Sequence, residues 1–190
     1  SHMLYQKIFF LVILVFTGAI LISSQLQSTE DISILVNDSG PFIGTSTPYQ
    51  SGYDGTGIII SIIDTGIDLN HPDLDGQIIG GYDFVDNDEM PEDINGHGTQ
   101  VAGIIASNGN LKGIAPNSKI LMYKVSEDGE SVPSNLIIKA IEKSIEDDAD
   151  IINISLGINQ TNTKIDQAVN KAVKNNIFVV TAAGNFGPEL

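Results

Sequence analysis

From residue 57 onward, short apolar runs alternate with longer stretches in which apolar residues recur every three or four positions. Gly57–Asp64 is almost unbroken isoleucine, the pattern of a strand buried on both faces. Lys119–Val125, Ile151–Leu156 and Ile177–Ala183 predict three more strands. Ser134–Asp147 places Ile137, Ile141 and Ile145 on one helical face, and Lys164–Asn175 does the same with Ile165, Ala168, Val169, Ala172 and Val173. Gly98–Ser107, rich in Ala, Gly and Ile, predicts a small buried helix. Strands alternating with helices imply an α/β fold, a parallel sheet flanked by helices with right-handed crossovers. Sites in such sheets form at the carboxyl ends of the strands, so the residues closing each run are the candidates for chemistry.

The first fifty residues follow a different pattern. Ser1-His2-Met3 reads as a cloning remnant. Lys7 then precedes an apolar run over 8–22, shorter than the roughly 20 residues of a membrane helix. Residues 4–24 are expected to be a secretory signal, with an uncleaved membrane anchor or a buried helix as alternatives. The expected location is therefore exported, secreted or held at the cell surface, with membrane contact through 8–22. Residues 25–50 read as a linker or N-terminal arm, and 51–190 as the folded part.

Charge and composition narrow the function. Nine lysines, no arginine and 24 acidic residues give a net charge of −15. Such a chain is a poor partner for nucleic acid, whose phosphates are bound by neutralising them. The absence of cysteine excludes disulfides, thiolate zinc sites and a cysteine nucleophile.

Three run ends carry chemistry. The first strand closes in Asp64-Thr65-Gly66, a carboxylate that is costly to bury without a partner. Asn95-Gly96-His97-Gly98-Thr99 sets an imidazole between glycines at a helix start. Ala182-Ala183-Gly184-Asn185 ends the fourth strand on an amide. An acid, an imidazole and a neutral donor are the general-base half of an acyl-transfer site.

These segments resemble a known family. Ser61–Leu74 looks like the aspartate motif of subtilisin-like serine proteases, and Gly96–Gly103 like their histidine motif. Gly113–Pro116, Ile152–Gly157 and Ala182–Asn185 follow in order. The resemblance implies a three-layer subtilisin-like fold, incomplete at its C-terminal end, and serine endopeptidase activity on an extended polypeptide. Within it, Asp64 would orient His97, His97 would act as general base and then acid, and Asn185 would donate to the oxyanion. Ser155, Leu156 and Gly157 would pair with the substrate backbone, Ala183 and Gly184 would wall the pocket, and Gly129, Glu130 and Ser131 would form the opposite edge.

Two departures qualify it. The family's Gly-Thr-Ser nucleophile motif belongs after the oxyanion asparagine, whereas Gly44-Thr45-Ser46 here precedes Asp64 and sits among turn residues. Ser46 is therefore not expected to be the nucleophile, and the 190-residue chain alone is expected to be inactive. The alternatives are an inactive peptide-binding fragment or one half of a split protease, with self-association or a complementing chain covering an exposed sheet edge. The other departure is Gln100, in a position where the family commonly has His.

Asp83, Asp86, Asp88 and Glu92 crowd the loop before His97. Taken alone they read as a solvated acidic loop. The resemblance extends to the calcium loop of the thermitase branch, which implies Ca²⁺ bound by these carboxylates and the Met90 carbonyl. Asp73 is a weaker candidate for another calcium site, because the 107–112 loop that would complete it is short. His71 reads as a structural turn residue.

Overall fold

The computed structural model describes residues 52–130, 132–157 and 162–182. Five parallel strands form one sheet: β1 (Ile59–Asp64), β2 (Ile78–Asp83), β3 (Lys119–Lys124), β4 (Ile151–Ile154) and β5 (Phe178–Thr181), in spatial order β2-β3-β1-β4-β5. Three helices connect them: α1 (His97–Ala106), α2 (Ser134–Glu146) and α3 (Thr163–Lys174). The architecture is the expected α/β sandwich of a parallel sheet between helices. Among the described residues no helix is long and apolar enough to cross a membrane. The apolar run over 8–22, Ser46, Ser131 and 183–185 lie outside the described residues.

The strand pleat divides the core in two. Ile60, Ile62, Ile120 and Met122 pack against Val101, Ala102 and Ile105 of α1. Ile63, Leu121, Tyr123, Ile152 and Ile154 face the other way, onto Ile137, Ile141, Ile165 and Ala168 of α2 and α3. Asp64 and Lys124 follow the α1-facing parity of Ile60–Ile62 and Ile120–Met122. They are paired in the β1–β3 register, and Lys124 is also paired with Asp83 on β2. Three charged residues thus close three neighbouring strands at one level, at the carboxyl edge.

The alternation of runs located every element except β2. Its sequence, Ile-Ile-Gly-Gly-Tyr-Asp, has too little apolar continuity to read as a strand, and its pairing with β3 shifts register between Ile78 and Gly80. β3 supplies what the segment lacks locally. The turn expected at His71 is a short 3₁₀ helix over Pro72–Leu74, with the His71 side chain accepting from Asp73 N.

Candidate active site

Asp64 is fully buried at the end of β1, and His97 opens α1 with its side chain 29 % exposed. His97 Nδ1 and Asp64 Oδ1 are 2.7 Å apart. The same oxygen accepts a hydrogen bond from Thr65 N at 2.7 Å. Among the described residues, Asp64 Oδ2 has no hydrogen-bond partner. The hydrogen bond to Asp64 raises the His97 pKa above its usual 6.5; burial opposes it, and the charges of Asp64 and Asp93 reinforce it.

Two glycines permit this approach. A Cβ on Gly98 would lie 2.1 Å from the Gly66 carbonyl oxygen, and one on Gly66, whose φ is +117°, would lie 2.6 Å from that of Glu92. The end of β1, the start of α1 and the loop between them therefore touch backbone to backbone. Gly98→Ala is expected to push α1 off β1, costing about 1–3 kcal/mol by urea unfolding. It should also return the His97 titration, followed by NMR, toward 6.5.

Gly129 and Leu156, one from each of two proposed substrate edges, lie close together. A Cβ on Gly129 would fall 3.4 Å from Thr65 Cγ2 and 3.8 Å from Leu156 Cδ2, so the 126–130 loop stands over both. Ser126 Oγ accepts from Gly129 N, and Asp128 Oδ1 accepts from Glu130 N, shaping this loop. Asn95 Nδ2 donates to the Asp128 carbonyl at 3.2 Å, tying the histidine loop to it. Ser155 Oγ is hydrogen-bonded to Asn153 Nδ2, Leu156 is buried and Gly157 is exposed. Ser131, Ala183, Gly184 and Asn185 fall outside the described residues.

Thr65, Asp93, Asn95 and Lys124 also shape the site, although sequence reasoning assigned none of them a role. Asp93 carried a local signal, an acidic residue just before a helix start. Burial pushes its carboxyl up, but hydrogen bonds from Thr99, Gly96 and Thr65 outweigh this and hold it below the usual carboxylate range.

Asp83, Asp88 and the Met90 carbonyl, three of the groups proposed for calcium, take part in hydrogen bonds. Asp83 Oδ1 accepts from Val85 N and Asp86 N, and Oδ2 pairs with Lys124 Nζ at 3.3 Å. Asp88 Oδ1 accepts from Met90 N, and the Met90 carbonyl accepts from Glu92 N. Among the described residues, no three His, Asp or Glu side chains converge as a metal cage. A calcium on Asp83, Asp86, Asp88, Met90 and Glu92 would have to compete with these contacts. The buried ammonium of Lys124 already occupies the inner carboxylate and reaches the Glu92 carbonyl at 3.0 Å. Asp73 is likewise in use: its Oδ1 accepts from Asn110 N at 2.7 Å.

The carboxyl edge of the sheet thus brings a buried aspartate onto a histidine in the first turn of a helix, and comparison with known proteins gives the family. The model of the subtilase family, peptidase S8, matches residues 55–190. The chain belongs to that family of subtilisin-like serine proteases. It is 39 % identical over 175 residues to the minor extracellular protease Vpr of Bacillus subtilis, covering 85 % of this chain and 22 % of that protein. It is 42 % identical over 138 residues to thermitase of Thermoactinomyces vulgaris, covering 70 % of this chain and 50 % of thermitase. The crystal structure of a cold-adapted subtilisin-like serine proteinase superposes with a TM-score of 0.62 at 34 % identity, covering 70 % of this chain and 48 % of that one. The chain thus spans half or less of the length of these relatives.

Proposed function

We propose that Asp64 and His97 are the general-base half of a serine endopeptidase active site. One observation carries this reading. A fully buried carboxylate contacts Nδ1 of a partly exposed imidazole whose Nε2 has no hydrogen-bond partner among the described residues. Asp64 would hold the tautomer with the proton on Nδ1, leaving the Nε2 lone pair free. Nε2 would take the proton from an attacking serine hydroxyl and return it to the leaving amine. By the family's chain order that serine follows Asn185, whose amide would donate to the oxyanion. An extended polypeptide would lie between Gly129-Glu130-Ser131 and Ser155-Leu156-Gly157, with Ala183 and Gly184 on the pocket wall. The position of Gly129 over Thr65 and Leu156 supports this placement. Export is supported by the apolar 8–22 run and by a relative named as extracellular.

The test uses the protein as its gene encodes it. It should hydrolyse an unfolded polypeptide, and a fluorophosphonate should label a serine other than Ser46. Labelling at Ser46, or hydrolysis that survives the loss of His97, would contradict the reading.

The raised His97 pKa sets the pH dependence. A general base must be neutral, so kcat/KM should fall as pH drops through a value above 6.5. Stability runs the other way. The protonated imidazole is favoured in the folded state, so its contribution is full below about 6.5 and fades as pH rises through the folded value. A pH–rate profile and a pH series of urea melts would check the two limbs.

A further inference from the structure

Asp64 and His97 belong to different elements, and their 2.7 Å contact needs something to hold β1 and α1 in register. The hydrogen bonds converge on Asp93. Its Oδ1 accepts from the Thr65 hydroxyl at 3.0 Å, from Asn95 N at 3.1 Å and from Gly96 N at 2.8 Å. Its Oδ2 accepts from Thr99 N at 2.8 Å and from the Thr99 hydroxyl at 2.6 Å. The Thr65 hydroxyl in turn accepts from Gly98 N at 2.9 Å. Thr65 is the residue after Asp64, and Gly98 is the residue after His97. One hydroxyl therefore joins the immediate chain neighbours of both partners, and one carboxylate fixes that hydroxyl to the first turn of α1.

We propose that Thr65 and Asp93 are positioning residues that set the distance and ring orientation of His97 against Asp64. The inference rests on the reading of His97 as general base. The hydroxyl is needed in both of its roles, donating to Asp93 and accepting from the buried Gly98 amide. Valine matches threonine in shape and can do neither, whereas serine keeps both. A plain helix cap would stabilise α1 without altering the imidazole. A positioning pair alters the imidazole even when the helix survives.

The readout is the His97 ring in the 190-residue chain, followed by NMR. The charged groups that act on the ring are Asp64 and Asp93. Thr65→Val should lower the His97 pKa, as a weakened contact with a neighbouring opposite charge does. It should also broaden or shift the low-field Nδ1–H resonance, and Thr65→Ser should restore both signals. Thr99→Ala removes the hydroxyl's bond to Asp93 and its acceptor contact with Asp68 N, keeps the Thr99 N bond to Asp93, and should give a smaller shift in the same direction. If Thr65→Val does not fold, Thr99→Ala and Thr65→Ser decide the matter. A folded Thr65→Val or Thr99→Ala chain with an unchanged His97 pKa and resonance would overturn the proposal. That result differs from failure of the general-base reading, which would appear as hydrolysis by a His97→Ala protein while the NMR shifts still occurred.

Discussion

His97→Ala is expected to leave the gene-encoded protein folded and nearly inert, with kcat lower by about 10⁶-fold. That size is carried over from the corresponding change in subtilisin, a relative of this chain, and does not follow from the geometry itself. On the proposed mechanism the loss is local: without Nε2, the serine proton would have to go to water, and the leaving amine would have no acid to protonate it. The fold should tolerate the change because the ring is partly exposed and alanine is a good helix former. The start of α1 is held by the Asp93 carboxylate and the Gly98–Gly66 packing, neither of which uses the imidazole. Steady-state hydrolysis of a chromogenic peptide, with a melting curve as the control for folding, would measure the loss.

The second large effect falls on stability. Lys124→Met is expected to cost about 3–5 kcal/mol, because it strands a buried carboxylate. The side chains of Lys124 and Asp83 are 4 % and 2 % exposed, and the ammonium also meets the Glu92 carbonyl and lies 3.8 Å from Glu127 Oε1. The pair joins β3 to β2 and to the loop that carries Asp93, so its loss should loosen the approach to His97 as well. Pairing the change with Asp83→Asn removes the stranded charge and should recover a large part of the loss. Urea unfolding of the single and double variants would measure both. A Lys124→Met protein as stable as wild type would mean that the loop draws its cohesion from elsewhere.

Elements with a sustained buried face were legible because their sequences repeat one physical demand over several residues. The isoleucines of β1 and the spacing of Ile137 and Ile141 on α2 are examples. β2 was not legible, since it is paired on one side only among the described residues and contains two adjacent glycines. At the site, Asp64 and His97 stood out because a carboxylate ending an apolar strand and a histidine between glycines are each unusual. Their neighbours did not. Thr65 matters through a single hydroxyl that bridges two distant segments, and Lys124 ends a strand as lysines often do. Its significance comes from Asp83, which only the sheet register brings alongside. The acidic loop shows the converse. Its carboxylates suggested a metal only through the family resemblance, and the sequence does not show that Asp83 and Asp88 bind local amides and that Asp83 meets the Lys124 ammonium.

The most direct measurement is kcat/KM against pH for the gene-encoded protein and its Asp64→Asn variant. With Asp64 orienting His97, the wild type should lose activity below a pKa above 6.5. The variant should show a limb displaced to lower pH and a plateau reduced by about 10⁴-fold, the scale seen when a triad aspartate loses its charge. Superimposable profiles, with the same limb and the same plateau, would show that the Asp64–His97 contact does not perform the proton transfer.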